Sequence, residues 1–380
     1  MSGAFGAAHS AAYALFCVAS AGMVSHAKNG LNWAFLGVSV YTIGIGLMPF
    51  FNTPIPCLVM SSVAHGGLAL AWPALHSWVG SHPDPAQRTR HMAWFNLSWS
   101  FGFAISPLFA GPLFDADYRW PFLTLVLLCL VCLALIKSLP HEKSYFGTAS
   151  EEQLAARADH DRASEAYLYC AWFATFIANM LIGVTRSVYP KRVEELVSAG
   201  ALRLLFETDS IPFLAYGPAT KFSFIAGAMS FASAAAFVVL GRTHGWRHRF
   251  QMLFWGQVLS AGAFWTLGGT RSLIIMGLCF IVVGANLGVA FFSSAYYSLA
   301  NPAHKHRRLT INEGAVGVGG FVGSSTFGYL AGRYGIAMPF HYTPLLIIIG
   351  LILQWGLLQY GKRRVALPAP PPAPPLPETP

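Results

Sequence analysis

NGLNWAFLGVSVYTIGIGLMPFFNTPIPCLVMSSVAHGGLALAWPALHSWVGSHP, residues 29–83, is a run of 55 residues without Asp, Glu, Lys or Arg. A transmembrane helix needs about 20 apolar residues to cross a hydrocarbon core about 30 Å thick. The run is therefore long enough for two crossings, and Asn52, Thr53, Pro54 and Pro56 supply turn residues in its middle. It predicts two membrane-spanning helices joined by a turn.

Nine further runs without these four residue types, each 17 to 33 residues long, complete the pattern. They are residues 1–27, 91–114, 120–136, 166–185, 222–241, 250–270, 272–304, 314–332 and 334–361. Backbone groups in lipid must bond to one another, so only helices and closed barrels span membranes, and barrel strands alternate every second residue. These runs are continuously apolar. The sequence therefore predicts an all-α polytopic membrane protein with about eleven transmembrane helices.

The positions of the basic residues predict the orientation of the helices. If the first helix enters from outside, 16 of the 24 Lys and Arg residues lie on the inner side. Inner loops are richer in Lys and Arg, so the C-terminus is expected in the cytoplasm of a bacterial inner membrane. The inner-loop arginines singled out are Arg88, Arg90, Arg242, Arg247 and Arg307. This bias accounts for the net charge of +9, and the basic inner side is expected to attract anionic membrane lipids. No nucleic-acid partner is needed to explain the charge.

Two halves of the chain repeat each other at an offset of 217 residues. The offset pairs Pro85 with Pro302, Arg88 with Lys305, Arg90 with Arg307, Asn96 with Glu313, Ser106 with Gly323 and Gly111 with Gly328. Secondary transporters are built from such repeats and bind their substrates between them. In this register the helix from residue 166 would have its counterpart before residue 1, so the first helix of a six-plus-six arrangement is missing from this sequence.

Residues 67–113 are similar to the fourth and fifth helices of the major facilitator superfamily, and Gly102, Ser106, Pro107 and Gly111 resemble its fifth-helix glycine-proline motif. LGRTHGWRHRF, residues 240–250, is similar to the basic loop between the family's eighth and ninth helices. The chain thus resembles this family over nearly its whole length. The resemblance implies two helical bundles, transport of a small solute by alternating access, and a central cavity lined by the fourth, seventh and tenth helices.

One family motif is degraded in this sequence. The loop between the family's second and third helices usually carries an acid followed by a base, but His26 and Ala27 stand at those positions. The degraded motif and the missing first helix favour an alternative function as a transport-inactive membrane scaffold or sensor. An apolar segment encoded upstream of Met1 would favour the transporter instead.

Polar residues seven or eleven apart share a helix face. Because lipid-facing surfaces are apolar, such a face predicts the lining of a cavity. The predicted substrate-cavity residues are His65, Trp72, His76, Trp172, Asn179, Arg186, Asn286, Ser293 and Tyr297. Each also has a structural explanation. The histidines and asparagines can bond to neighbouring helices, Arg186 can anchor at the membrane surface, and Trp72 can pack at the Pro73 kink.

Small residues predict close helix packing and conformational motion. The residues singled out are Gly102, Ser106, Pro107, Gly111, Gly320, Gly323 and Gly328. Small side chains let helix backbones approach one another and slide.

All fifteen acidic residues lie outside the apolar runs. Proton coupling would therefore use His65, a carboxylate of the missing helix, or nothing at all. A cavity with Arg186 and without an acid favours neutral or anionic small molecules as substrates.

Nothing in the sequence predicts an enzyme, a cofactor or a metal site. Cys129 and Cys132 have metal-ligand spacing but lie in an apolar helix without a second ligand pair. No nucleotide-binding loop or catalytic triad is present.

The sequence predicts four regions, and the chain is expected to be a monomer. The regions are an N-terminal bundle at 1–138, a cytoplasmic connector at 139–165 with a short amphipathic helix after Ser150, a C-terminal bundle at 166–361 and a disordered proline-rich tail at 362–380. The role of the outer loop, residues 190–221, is left open between the membrane surface and the cavity mouth.

Overall fold

The computed structural model describes residues 2–25, 30–79, 85–139, 151–204, 217–243, 245–299 and 305–366. Eleven long helices and one short helix, α7, make up these residues, which confirms the predicted all-α fold. The helices are α1 (Ser2–Ser25), α2 (Gly30–Leu47), α3 (Pro54–Val79), α4 (Pro85–Ala116), α5 (Trp120–Ser138), α6 (Glu151–Ser187), α7 (Tyr189–Ser198), α8 (Pro218–Arg242), α9 (Phe250–Gly269), α10 (Leu273–Leu299), α11 (Lys305–Tyr334) and α12 (Met338–Ala366).

Eight helices of the described ranges are long and apolar enough to cross a membrane: α2, α3, α4, α5, α6, α8, α10 and α12. The turn predicted in the 55-residue run is a 3₁₀ turn at Met48–Phe50, followed by α3 from Pro54. A proline at the first helical position suits a helix start, because its missing N–H has no partner there.

The helix α6 is one continuous rod of 37 residues from Glu151 to Ser187. The sequence suggested a short connector helix and a separate membrane helix from residue 166. The two are continuous because no glycine or proline occurs between Glu151 and Gly183 to interrupt the backbone hydrogen bonds.

The outer loop packs against the C-terminal half. It begins with α7, and Leu202 and Leu204 lie against the apolar core of that half. Ser272 at the start of α10 donates its hydroxyl to the Leu204 carbonyl at 2.7 Å. The described part of the loop is thus held by protein contacts, and residues 205–216 lie outside the described ranges.

The repeat at offset 217 is present in the helices themselves. Adding 217 to the bounds of α1 gives 219–242, and α8 spans Pro218–Arg242. In the same way α2, α3, α4 and α5 correspond to α9, α10, α11 and α12. Packing repeats as well, since the pairs α1–α3, α2–α3 and α2–α5 recur as α8–α10, α9–α10 and α9–α12.

The helix α6 has no counterpart among the described residues. In the C-terminal half it packs against α10, α11 and α12. Their counterparts are α3, α4 and α5, and no helix of the described ranges packs against all three. Among the described residues, the position of α6 in the C-terminal half therefore has no equivalent helix in the N-terminal half.

The two halves meet along two pairs of helices, α1 with α11 and α4 with α8. One close approach is between Gly3 and Gly328, where a Cβ added to Gly3 would lie 2.7 Å from the Gly328 Cα. The two backbones touch there, as small residues in membrane helices allow.

Candidate functional site

Two histidines face each other between α1 and α3. The rings of His9 and His65 are stacked, with centroids 4.3 Å apart and an interplanar angle of 21°. His65 Nδ1 donates to the Ser61 carbonyl at 2.8 Å, and His9 bonds to the Phe5 carbonyl. Because one ring nitrogen of each histidine binds a carbonyl of its own helix, the second nitrogen is available to a ligand.

Arg186 lies in the last turn of α6, near this pair. Its guanidinium carbon lies 5.3 Å from the ring centroid of Phe103 on α4, and its charge is close enough to act on His9 and His65. No carboxylate of the described residues acts on the guanidinium. His9, His65 and Phe103 come from three helices of the N-terminal half, and the Arg186 side chain is exposed. We call the space bordered by His9, His65, Phe103 and Arg186 the cleft.

An aromatic cluster continues from the cleft across both halves. Trp99 on α4 contacts Phe103 at 5.5 Å, Phe237 on α8 at 5.4 Å and Phe291 on α10 at 5.8 Å, measured between ring centroids. Trp72 on α3 contacts Trp99 at 6.4 Å and also Phe95. The members of the aromatic cluster are Trp72, Phe95, Trp99, Phe103, Phe237 and Phe291. The structure thus places Trp72 beside the cleft.

The two other predicted residues of α6, Asn179 and Trp172, lie closer than Arg186 to the N-terminal end of the helix. Asn179 is half-buried and donates its amide to the Thr175 carbonyl at 2.9 Å. Trp172 donates its indole N–H to the Ser298 hydroxyl of α10 at 2.9 Å. These bonds hold α6 to itself and to α10.

The predicted residues of α10 are buried in the C-terminal half. Tyr297 is 2% exposed, and its hydroxyl accepts a bond from the His248 backbone N–H at 2.9 Å. Ser293 is also buried, and Asn286 lies against Gly256 of α9. The structure does not bring these three residues together with Arg186 and His65.

The structure describes only some of the predicted cytoplasmic-loop and α3 residues. The side chains of His76, Arg88 and Arg90 lie outside the described ones. Arg242 and Arg307 are exposed, and the Arg247 guanidinium carbon lies 5.1 Å from the ring centroid of Tyr296.

The predicted packing residues differ in their surroundings. Cβ atoms built at Gly111, Gly320, Gly323 and Gly328 would meet Ser223, Ser10, Met180 and Gly3 of a neighbouring helix. Gly102 has nothing within 4 Å of such an atom, Ser106 is exposed and Pro107 is half-buried. The first four therefore lie at helix contacts, and three of these four contacts join the two halves.

Sequence reasoning missed three residues that connect α1 to the site. His9 lies in the first apolar run. It is polar, but it was not among the residues predicted from helical spacing. Tyr13 donates to a Glu313 carboxylate oxygen at 2.7 Å. Glu313 lies just outside an apolar run, but α11 begins at Lys305, eight residues before it, and its side chain reaches the interface between the halves.

Asp115 in the last turn of α4 binds the start of α8. Its Oδ2 accepts the Thr220 backbone N–H at 2.8 Å and the Thr220 hydroxyl at 2.5 Å. A carboxylate at a helix N-terminus is stabilised by the partial positive charge of the free N–H groups. These hydrogen bonds therefore join the C-terminal end of α4 to the N-terminal end of α8.

The variant Asp115→Asn is expected to lower the free energy of unfolding by about 1–2 kcal/mol, because it removes the charge but keeps the size. Thermal unfolding of the purified protein measures the change. Asp117→Asn is the matched control, since Asp117 binds only the nearby Arg119 N–H in an exposed turn. Equal unfolding temperatures for the two variants would contradict a fastening role for Asp115.

Comparisons with known proteins identify the family. The family model of the Major Facilitator Superfamily matches residues 1–206, more than half of the chain. The crystal structure of the human organic anion transporter MFSD10 (TETRAN) superposes with a TM-score of 0.62 at 16% identity, covering 94% of this chain and 83% of that one. A bacterial homolog of the human lysosomal transporter Spinster, in an inward-facing and unoccupied conformation, gives a TM-score of 0.65 at 12% identity, covering 97% and 91%. No curated protein matches.

These relatives share the all-α membrane fold, and they are transporters. The family match also confirms the resemblance that the motif of residues 67–113 predicted. The chain belongs to the Major Facilitator Superfamily, and its function is transport of a solute across a membrane.

Proposed function

We propose that the transported solute is an organic anion with a planar apolar body, bound in the cleft and moved by alternating access. The observation that carries the proposal is Arg186, an arginine bordering the cleft whose charge acts on two histidines and on which no described carboxylate acts.

Charge favours an anion. A positive group within a membrane protein is costly unless a partner compensates it, and such groups mark substrate pathways. Arg186 brings a positive charge to the cleft and no described carboxylate acts on it, so an anionic substrate supplies the missing countercharge. A cationic substrate would be repelled by the guanidinium.

The aromatic cluster favours a flat apolar body. Phe103 borders the cleft and already lies under the Arg186 guanidinium. Flat rings bind one another in offset or edge-to-face arrangements, and Trp99 joins this wall to both halves. A carboxylate on Arg186 would place an attached ring next to Phe103.

Alternating access follows from where the cleft residues come from. His9, His65 and Phe103 belong to the N-terminal half and Arg186 to the C-terminal half. A substrate that binds all four bridges the halves, and it shifts the equilibrium towards the arrangement in which they are close. The tight contacts of α1 with α11 and of α4 with α8 are the surfaces along which the halves would tilt.

The human relative is described as an organic anion transporter. That likeness is one of fold, and the substrate class proposed for this chain rests on the cleft. The proposal includes a monomer without catalytic activity, with bundles at 1–138 and 166–361, in a bacterial inner membrane with the C-terminus in the cytoplasm. The predicted link to the substrate pathway is not part of this proposal for Asn179, Trp172, Asn286, Ser293 and Tyr297.

Binding and uptake of matched probes test the proposal. The probes are 2-naphthoate, the cation 2-naphthylmethylamine and the aliphatic anion hexanoate, added to the purified full-length protein. We expect 2-naphthoate to raise the unfolding temperature with increasing concentration, as a ligand of the folded state does, and to bind at least about tenfold more tightly than either control.

Uptake into proteoliposomes separates transport from binding. Accumulation of 2-naphthoate is expected, and binding without uptake would favour the scaffold or sensor. Tighter binding of the amine would overturn the anion proposal, and equal binding of hexanoate would overturn the role of the aromatic wall.

A further inference from the structure

A pocket of about 620 Å³ lies between α8, α9 and α10 on the outer surface of the C-terminal half, away from the cleft. Val239, Trp255 and Leu259 line it and are exposed. Exposed large apolar side chains in membrane-spanning helices face lipid. The pocket therefore opens to the bilayer.

The floor of the pocket carries an unpaired amide. Asn286 is 2% exposed, and neither its Nδ2 nor its Oδ1 has a hydrogen-bond partner among the described residues. A buried amide without partners costs roughly 1–3 kcal/mol, so such a group calls for a bound molecule with polar atoms.

The inner end of the pocket is basic. Arg249, which directly precedes α9, lines the pocket and is exposed. The sequence from Pro218 to Asn312 contains no Asp or Glu, so no acid of these helices neutralises it. The inner leaflet of a membrane is rich in anionic headgroups, and basic pockets between helices on that side bind them.

The spacing of these groups matches a lipid. Arg249 lies seven residues before Gly256, whose surroundings include the Asn286 amide. Seven residues of helix rise about 10 Å. A phosphate at Arg249 therefore places the ester groups of a glycerophospholipid above Asn286, with the acyl chains along Trp255 and Leu259.

We propose that this pocket is a binding site for one anionic glycerophospholipid of the inner leaflet, held by Arg249 at the phosphate and by the Asn286 amide at an ester carbonyl. The site does not depend on the proposed substrate. Its function is to fill the surface between α8, α9 and α10 and so to stabilise the C-terminal half.

Lipid binding to the delipidated full-length protein tests the site. Phosphatidylglycerol and phosphatidylcholine with identical acyl chains are added in detergent, and bound lipid is counted by native mass spectrometry alongside thermal unfolding. We expect phosphatidylglycerol to bind more tightly and to raise the unfolding temperature further. Glycerol phosphate without acyl chains is expected to give no shift.

Three variants assign the contacts. Arg249→Gln is expected to weaken phosphatidylglycerol binding about fivefold, the contribution of one arginine at an anionic surface, and to leave phosphatidylcholine binding unchanged. Asn286→Leu is expected to weaken both lipids, because both carry the ester groups. Arg271→Gln is the control, since Arg271 is exposed at the opposite ends of α9 and α10.

The anionic site would be overturned if the two lipids bound equally. It would also be overturned if Arg249→Gln and Arg271→Gln bound phosphatidylglycerol equally. Unchanged lipid binding by Asn286→Leu would overturn the ester contact. If glycerol phosphate alone raised the unfolding temperature as much as phosphatidylglycerol, the anion would bind at the surface and the acyl chains would not occupy the pocket. Arg249 and Arg271 are both exposed, so the comparison between their variants stands even where Asn286→Leu fails to fold.

Discussion

Replacing Arg186 with glutamine is expected to reduce transport of 2-naphthoate about 100-fold. Glutamine keeps much of the length of the side chain and loses its charge and its paired N–H donors. A hydrogen bond to a charged group contributes about 1.5–3 kcal/mol, and paired bonds from one guanidinium are the strongest of this kind. At 1.4 kcal/mol for each factor of ten, the upper end of that range gives the expected loss.

Initial rates of uptake into proteoliposomes measure this loss. Arg186→Lys keeps the charge but not the flat fork, and we expect it to restore part of the rate. The matched control is Arg333→Gln, an exposed arginine in the last turn of α11. Uptake by Arg186→Gln within a factor of about two of the control would show that the substrate does not need Arg186, and the anion proposal would be abandoned.

The variant Gly323→Ala is expected to cause a large loss of stability. A Cβ at Gly323 would lie 2.1 Å from the Met180 carbonyl oxygen of α6, which is backbone and cannot move aside by a rotamer change. The two helices must separate, and forcing extra atoms into a packed contact costs typically about 1–3 kcal/mol or more. A buried helix pair in the centre of the C-terminal half would loosen along its length.

Gly332→Ala in the same helix is the control, because nothing lies within 4 Å of its added Cβ. Alanine is the better helix former by about 1 kcal/mol, so this variant is expected to unfold at the same temperature or slightly higher. Fluorescence-detected size exclusion after heating measures both. If Gly323→Ala and Gly332→Ala were equally stable, close packing of α6 on α11 would not be what holds the C-terminal half together.

The sequence predicted the fold because the membrane leaves few choices. Runs without charge fix the number of helices, and the offset of 217 aligns α1 with α8 and α4 with α11 within three residues at each end. The continuity of α6 was not predicted, since a change of composition at residue 166 looks like a boundary although nothing breaks the helix there.

The site was harder to predict from the sequence than the fold. Spacing shows which residues share a helix face, but in lipid almost every face is apolar, so periodicity does not reveal which face meets which neighbour. His65 and Trp72 border or adjoin the cleft, whereas Asn286 lies at a pocket on the lipid side. Tyr13 and Glu313 are 300 residues apart, and no local pattern in the sequence could pair them.

The uninterrupted course of α6 has a mechanical consequence. A helix of 37 residues is about 55 Å long, so tilting it by about 5° around its midpoint moves each end by about 2 Å. Glu151 stands at one end and Arg186 next to the other. A sideways displacement of the Glu151 end, whether by a bound partner or by the membrane surface, therefore moves Arg186 at the other end.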